Sequence, residues 1–388
     1  LISRDMERLL GNDLSIRRMW EEGRRLMEKH GAGNVADMTL GNPVADPPAE
    51  LLRAFAEVAA HPPRDLHRYT PTAGHPEARQ RIAAHLAERG LLPGVEWRHV
   101  VVTSGASCAT NIALRAVLDP GDEVIVIAPY FPDYPSHVRN HGGVPVIVDA
   151  GPDFLPDLGA IDRAMGPRTK ALIVNHPNNP SGRMYPEQLV RDLAEVVRAA
   201  ERRLSREIYV VSDEPYREIR YTANPFLSPA AAFERGIMAY SFSKSHSVPG
   251  ERIGYLALNP ACPDAEKLLA AVSLANRILG FTNAPSLFQR VMARCLDSVV
   301  DLAAYRSKRD RLYSALRAMG YEVIEPEGTF YLFPRAPGGD DEAFVRRAAQ
   351  DLLLLVPGGN FGRPGHFRMA YCVDDRTVDL ALTRLPPA

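Results

Sequence analysis

The sequence predicts an α/β protein built on a mostly parallel sheet, with a smaller α+β module towards the C-terminus. Three observations predict it. From about residue 75, helical segments alternate with short, continuous runs rich in β-branched residues, the pattern of strands buried on both faces. Helices between such runs imply parallel crossovers and a layered α/β architecture. After about residue 285 the pattern changes to long helical stretches interleaved with a few aromatic, strand-like segments.

In chain order, residues 13–32 read as a charged amphipathic helix, followed by a strand-like segment at Met38–Leu40. Gly41-Asn42-Pro43 then forms a turn where a missing side chain lets a ligand approach the backbone. The expected strands of the large sheet are Val100–Thr103, Val124–Ala128, Val144–Val148, Ala171–Asn175, Ile208–Ser212 and Ala239–Phe242. A single helical stretch is expected from Ser286 to about Met319. Tyr321–Ile324, a Gly-rich turn, Phe330–Phe333, another helix and Phe367–Val373 follow. The expected division is 1–45 as an N-terminal arm and part of the small domain, 46–285 as the large domain, and 286–388 as the rest of the small domain.

Composition narrows the function. The 388 residues allow one large and one smaller domain, and 46% hydrophobic with 24% charged residues is ordinary for a globular enzyme. A net charge of −1 with scattered cations argues against nucleic acid or an anionic membrane as partner. Cys108, Cys262, Cys295 and Cys372 are far apart with no CxxC pair, which argues against a disulfide framework or a zinc site. No apolar stretch has the length a bilayer needs, and the start has no signal-peptide layout. A cytoplasmic location is therefore the expectation. The chain starts at Leu1 rather than Met, which leaves an earlier targeting segment open.

Ligands of α/β sheets collect at the carboxyl ends of the strands. Four of the expected strands run into segments of unusual composition there. Ser104-Gly105-Ala106-Ser107 opens a helix with bare backbone N–H groups, either an ordinary cap or an anion site. Asn175-His176-Pro177-Asn178-Asn179-Pro180-Ser181-Gly182 is either a tight turn or a rigid loop bearing amide donors. Ser212-Asp213-Glu214-Pro215-Tyr216 places carboxylates after a strand, as a helix cap or as functional acids. Ser241-Phe242-Ser243-Lys244, followed by Pro249-Gly250-Glu251-Arg252-Ile253-Gly254-Tyr255, is the most specific. A lysine at the end of a buried strand is costly unless its amine is used. With two serines and an arginine beside it, the set suits an anionic ligand carrying a carbonyl for the lysine to attack.

These segments, in this order, resemble the class I/II aminotransferases, the aspartate-aminotransferase-like enzymes of pyridoxal-5′-phosphate (PLP) fold type I. The resemblance spans nearly the whole chain: LGNP near 40, RYTPTAGHPEAR (68–79), DPGDEVIVIAPYFPDY (119–134), NHPNNPSG, SDEPYREI, SFSKSHSVPGERIGY, PEGTFYLFP (326–334) and VPGGNFGRPGHFRMAYCV (356–373). It implies a mostly parallel seven-stranded sheet in the large domain and a small α+β domain. It implies PLP as cofactor, a Schiff base at Lys244, and Lys244 as the base that moves the substrate's α-proton. By the same resemblance Asp213 is expected to face the pyridine nitrogen, Asn179 and Tyr216 to bond the ring's phenolic oxygen, and Phe131 to stack on the ring unless it is simply a core residue. Gly105, Ala106, Ser107, Ser241, Ser243 and Arg252 take the phosphate. Tyr69 reaches the phosphate of a neighbouring subunit, which implies a homodimer with shared active sites. Arg368 pairs with the substrate's α-carboxylate beside the backbone of Gly41. No metal is implied.

Three residues depart from the family's pattern. His176 and His246 read either as hydrogen-bonded core histidines or as donors lining one substrate pocket. Arg277 reads either as a structural ion pair or as a partner for a polar substrate group.

The implied reaction is exchange of an amino group between an amino acid and a 2-oxo acid. The alternative is a PLP-dependent lyase, β/γ-replacement or cyclising enzyme, because the cofactor carries the chemistry and the fold selects which bond breaks. A third reading, a PLP-sensing regulator with an attached DNA-binding segment, is disfavoured because no basic helix-turn-helix precedes the first motif.

Overall fold

The computed structural model describes residues 2–3, 6–7, 10, 21 and 23–388. Residues 13–20 and 22 of the helix expected over 13–32 lie outside them; residues 23–30 are helical.

Seven strands form the large sheet: β2 (Val100–Thr103), β3 (Glu123–Ala128), β4 (Val144–Asp149), β5 (Thr169–Asn175), β6 (Tyr209–Asp213), β7 (Gly236–Ser241) and β8 (Gly254–Leu258), after a short β1 (Ala36–Asp37) elsewhere. Their order is β2-β8-β7-β6-β5-β3-β4. All are parallel except β8, which runs antiparallel to both its neighbours. Alternation along the strands explains why they read as unbroken apolar runs. In β5, Ala171 and Ile173 pack into one core while Leu172 and Val174 pack into another on the opposite face. The helix Ala106–Val117 lies on the first face and Glu187–Leu204 on the second.

The C-terminal part holds an antiparallel sheet of order β11-β12-β9, made from β9 (Tyr331–Leu332), β11 (Val356–Pro357) and β12 (Phe367–Ala370). A fourth short strand, β10 (Leu353–Leu354), pairs in parallel with β1. One core joins Ala36 and Met38 to Phe330, Leu332, Phe367 and Met369, so the N-terminal segment packs with the C-terminal elements.

Three expectations fail. The strand-like segment expected at Met38–Leu40 lies earlier, as β1 at Ala36–Asp37. The single helix over Ser286–Met319 is two, Ser286–Met292 and Leu302–Ala318. Asp301 starts the second by accepting from the Ala303 N–H at 2.8 Å. The break is also anchored, because Val300 N–H donates to the Ser245 carbonyl at 2.9 Å. Tyr321–Ile324 forms no strand. Its anchor Tyr321 is held instead by packing on Phe344 and Phe367.

Candidate active site

β7 ends at Ser241, and the chain turns at once into the single helical turn Phe242–Ser245. Ser241 caps it, its Oγ accepting from the Ser243 N–H at 3.2 Å. This turn lifts Lys244 to the carboxyl edge of the sheet, where its Nζ donates to the Gly41 carbonyl at 2.7 Å. Burial lowers the amine's pKa to about 8, and the nearby Arg368 and Arg252 act in the same direction. Such an amine is available as a nucleophile and base close to neutrality.

Asp213 ends β6, beside Asn175 at the end of β5, whose Nδ2 donates to the Asp213 carbonyl at 2.9 Å. Its Oδ2 accepts from the Tyr134 hydroxyl, whereas Oδ1 is buried without a hydrogen-bond partner. Burial raises the carboxyl's pKa to about 7, against the pull of the Tyr134 hydrogen bond. A buried carboxylate oxygen without a donor calls for a ligand N–H.

The same pocket holds an anion cradle. Gly105 adopts φ 88° and caps the helix Ala106–Val117, whose first N–H groups face the pocket with Ala106 and Ser107. A Cβ at Gly105 would sit 3.0 Å from an Arg252 nitrogen and 3.5 Å from Ser241 Oγ, so only glycine keeps this concavity open. Ser241 Oγ and Ser243 Oγ are 2.7 Å apart. Arg252 is exposed and held by the carbonyls of Pro249 and Ser104 at 3.0 and 3.3 Å. A forked cation, two hydroxyls and a helix N-terminus fit a doubly charged phosphate.

On the opposite wall, Arg368 of β12 is clamped between Tyr331 and Phe361, 4.5 and 4.7 Å from their ring centres. It donates to the Thr39 carbonyl at 2.6 Å and to Asn179 Oδ1 at 3.1 Å, while its Nε is buried without a partner. With Asn179 Oδ1 taken, the amide NH2 is the group left to donate. The Tyr216 and Tyr331 hydroxyls are 2.9 Å apart. Gly41 lies against Tyr331, where a Cβ would come within 1.8 Å of the hydroxyl oxygen. Phe131 lines the pocket with its ring edge-on to Tyr134 at 5.5 Å.

Lys244, Asp213, Tyr216, Ala106, Ser107, Phe131, Asn179, Ser241, Ser243, Arg252, Gly41 and Arg368 thus line one pocket, with Gly105 at its rim. Tyr69 does not; it is 95% exposed in an open groove with Thr282 and Asn283.

Neither His176 nor His246 is a pocket residue. His176 is fully buried between the rings of Tyr185 and Phe226, and its Nδ1 accepts from the Tyr185 N–H at 3.1 Å. His246 is fully buried too, with Ser245 Oγ at 2.9 Å and the Cys295 carbonyl at 3.0 Å. The reading in which both line a substrate pocket is therefore withdrawn: packing against the core outcompetes exposure to the site. Arg277 is exposed and makes no ion pair among the described residues, so its structural reading fails within one chain.

Residues 34–385 match the family described as aminotransferase class I and II. The chain belongs to that family. It is 36% identical over 376 residues to a probable aspartate/prephenate aminotransferase of Thermus aquaticus, covering 93% of both chains. An aspartate/prephenate aminotransferase of Thermus thermophilus is 34% identical, with 92% of this chain and 91% of that one covered. An amino transferase from Eubacterium rectale has a TM-score of 0.94 at 34% identity, covering 99% and 97% of the two chains.

Enzymes of this family are PLP-dependent, and the pocket of this aminotransferase fits that cofactor. The unpaired Asp213 Oδ1, the concavity at Gly105 and the lowered Lys244 amine correspond to its ring nitrogen, phosphate and aldehyde. Among the pocket residues of this aminotransferase that the sequence reading missed are Tyr134 and His137. Their spacing of three on one helix, Tyr134–Arg139, is the signal the sequence offers for them.

Proposed function

We propose that this aminotransferase holds PLP covalently through Lys244 and transfers an amino group from an amino acid to a 2-oxo acid in two half-reactions. The observation that carries this is one pocket joining a depressed-pKa lysine, a buried carboxylate with an unpaired oxygen and an arginine with an unpaired Nε. When bound, the cofactor supplies an electron sink for the carbanion at the substrate's Cα. Asp213 would hold the proton at the ring nitrogen, and Lys244 would take the α-proton from one face of the substrate, the transfer that the electron sink makes accessible. Arg368 anchors the α-carboxylate against Gly41, which fixes the Cα–H bond towards Lys244. Asn179 and Tyr216 would donate to the ring's phenolic oxygen, and Phe131 would lie against the ring. Gly105, Ala106, Ser107, Ser241, Ser243 and Arg252 hold the phosphate.

A homodimer is part of the proposal, with Tyr69 reaching the phosphate of a second copy. It rests on the exposure of Tyr69 and on the exposed Leu274 and Ile278 of the helix Ala265–Ile278, which is tied to the Tyr69 segment by Asn276 Nδ2 donating to the Thr72 carbonyl at 3.2 Å. The division into two domains at about residues 45 and 285 is also proposed, supported by separate apolar cores for the large sheet and the C-terminal sheet; Phe288, Val291 and Met292 pack with Leu51, Val58 and Val100, which favours a second boundary after residue 296. A cytoplasmic location rests on four buried cysteines, all free. No described helix is long and apolar enough to cross a membrane.

The elimination, replacement and cyclisation alternative is not favoured, since the relatives named are aminotransferases. The test offers the PLP-loaded enzyme a panel of amino acids without an acceptor. One 2-oxo acid per site is expected, with further turnover only after a second 2-oxo acid is added. Ammonia release, or sustained turnover without an acceptor, would overturn transamination.

A further inference from the structure

The two carboxylate oxygens of Asp213 are not equivalent. Oδ2 accepts from the Tyr134 hydroxyl, and Oδ1 has no donor among the described residues. Tyr134 opens the short helix Tyr134–Arg139 and is itself almost completely buried, with Phe131 and His137 set edge-on to its ring at 5.5 and 6.5 Å. Its hydroxyl is therefore placed by the helix start and two rings rather than by solvent.

The other titratable groups around the pair are Glu214, Tyr216, Tyr185 and His137. Glu214 faces away into its own set of partners, Ser212, Ser228 and Arg217. Burial keeps the His137 imidazole neutral, with a pKa near 4, and holds both tyrosines as neutral phenols. Among the described residues, Tyr134 alone donates to the Asp213 side chain.

We propose that Tyr134 is a positioning residue for the reaction: by occupying Oδ2 it keeps Asp213 ionised and presents Oδ1 to the cofactor's ring nitrogen. This rests on the PLP reading above. A donor on one oxygen disperses the carboxylate's charge and makes the other oxygen a weaker base. A weaker base leaves the shared proton on the ring nitrogen, where it strengthens the electron sink; a stronger base draws it away. Because burial holds the phenol well above its usual ionisation range, the donor persists throughout the working pH range.

Tyr134→Phe removes only the hydroxyl. In the cofactor-free protein, 13C-carboxyl NMR should show Asp213 titrating about one to two pH units higher, the size of a lost hydrogen bond to a charged acceptor. In the enzyme loaded with PLP labelled with 15N at the ring, the nitrogen resonance should move towards that of neutral pyridine. Exchange of the substrate's α-proton should slow about 10- to 100-fold in the wild-type background but less than about twofold in an Asp213→Asn background. A merely structural role would slow both backgrounds alike. An Asp213 titration and a 15N resonance coinciding with the wild type's would overturn the proposal. Should the phenylalanine variant not fold, 3-fluorotyrosine at 134 strengthens the donor and should shift the Asp213 titration downwards; no shift would equally overturn it. The cofactor-free titration judges Tyr134 alone, whereas failure of wild-type protein to take up PLP would count against the underlying reading.

Discussion

Replacing Lys244 by methionine should make the cofactor-free protein more stable at neutral pH. Burial lowers the amine from its ordinary 10.5 to about 8, so the folded state binds the lysine's proton more weakly than the unfolded chain does. Below pH 8 that difference is fully expressed as a penalty on folding. It is relieved as pH rises through the window from about 8 to 10.5, where the unfolded chain still binds a proton that the folded state has released. Lowering from 10.5 to about 8 corresponds to roughly 3–4 kcal/mol at about 1.4 kcal/mol per pH unit. Methionine also gives up the hydrogen bond to the Gly41 carbonyl, worth about 1 kcal/mol. The net expectation is roughly 2–3 kcal/mol of added stability at pH 7, shrinking and then reversing by pH 10.5. Urea unfolding of both cofactor-free proteins at a series of pH values, with circular dichroism as the signal, measures it. A variant less stable than wild type at pH 7, or a difference that does not change with pH, would refute the burial argument.

Arg368→Lys keeps the charge but loses the fork that reaches Thr39 and Asn179 together. Loss of one charged hydrogen bond should lower kcat/KM about 10- to 100-fold in steady-state assays, mostly through KM. His246→Gln should lower the urea midpoint by the equivalent of about 1–3 kcal/mol, while α-proton exchange and product formation stay within about twofold of wild type. Selective slowing of product formation would reinstate His246 as a functional group. Lys244→Ala and Tyr69→Ala protomers, each inactive alone, should regain activity when mixed, because one of the two sites in a hybrid dimer would be intact. An active monomer in analytical ultracentrifugation would end that idea.

The strands legible in the sequence are those buried on both faces: β5 reads as an unbroken apolar run because alternate residues serve two cores. β8 was not read as a strand, since Gly254 and Tyr255 fall inside a segment dominated by the signals around Lys244 and Arg252. The helix break before Leu302 was hidden because helical periodicity cannot register contacts such as Val300 with Ser245. Site residues were legible where chemistry is local, as in Ser241 to Arg252. The histidines misled because a buried imidazole stacked between rings has the same letter as one facing a substrate. Tyr134 went unseen because its partner Asp213 is 79 residues away.

The reversed strand β8 has a consequence for how this site tolerates change. Every parallel strand delivers its C-terminal end to the ligand edge, but β8 delivers its beginning, so Gly254 lies between Thr103 and Ser241. The chain leaves β7 through Lys244 and re-enters the sheet just past Arg252, and a Cβ on Gly254 would strike the Tyr240 carbonyl at 2.3 Å and the Gly105 Cα at 2.9 Å. Lys244 and Arg252, the proposed grips for the cofactor's aldehyde and phosphate, are thus mounted on a single short connection whose ends are fixed in adjacent strands. Their separation behaves as a ruler cut to the length of one ligand. Inserting or deleting a residue between 245 and 251 would misalign the two grips, whereas the longer crossovers elsewhere in the sheet have slack to absorb it.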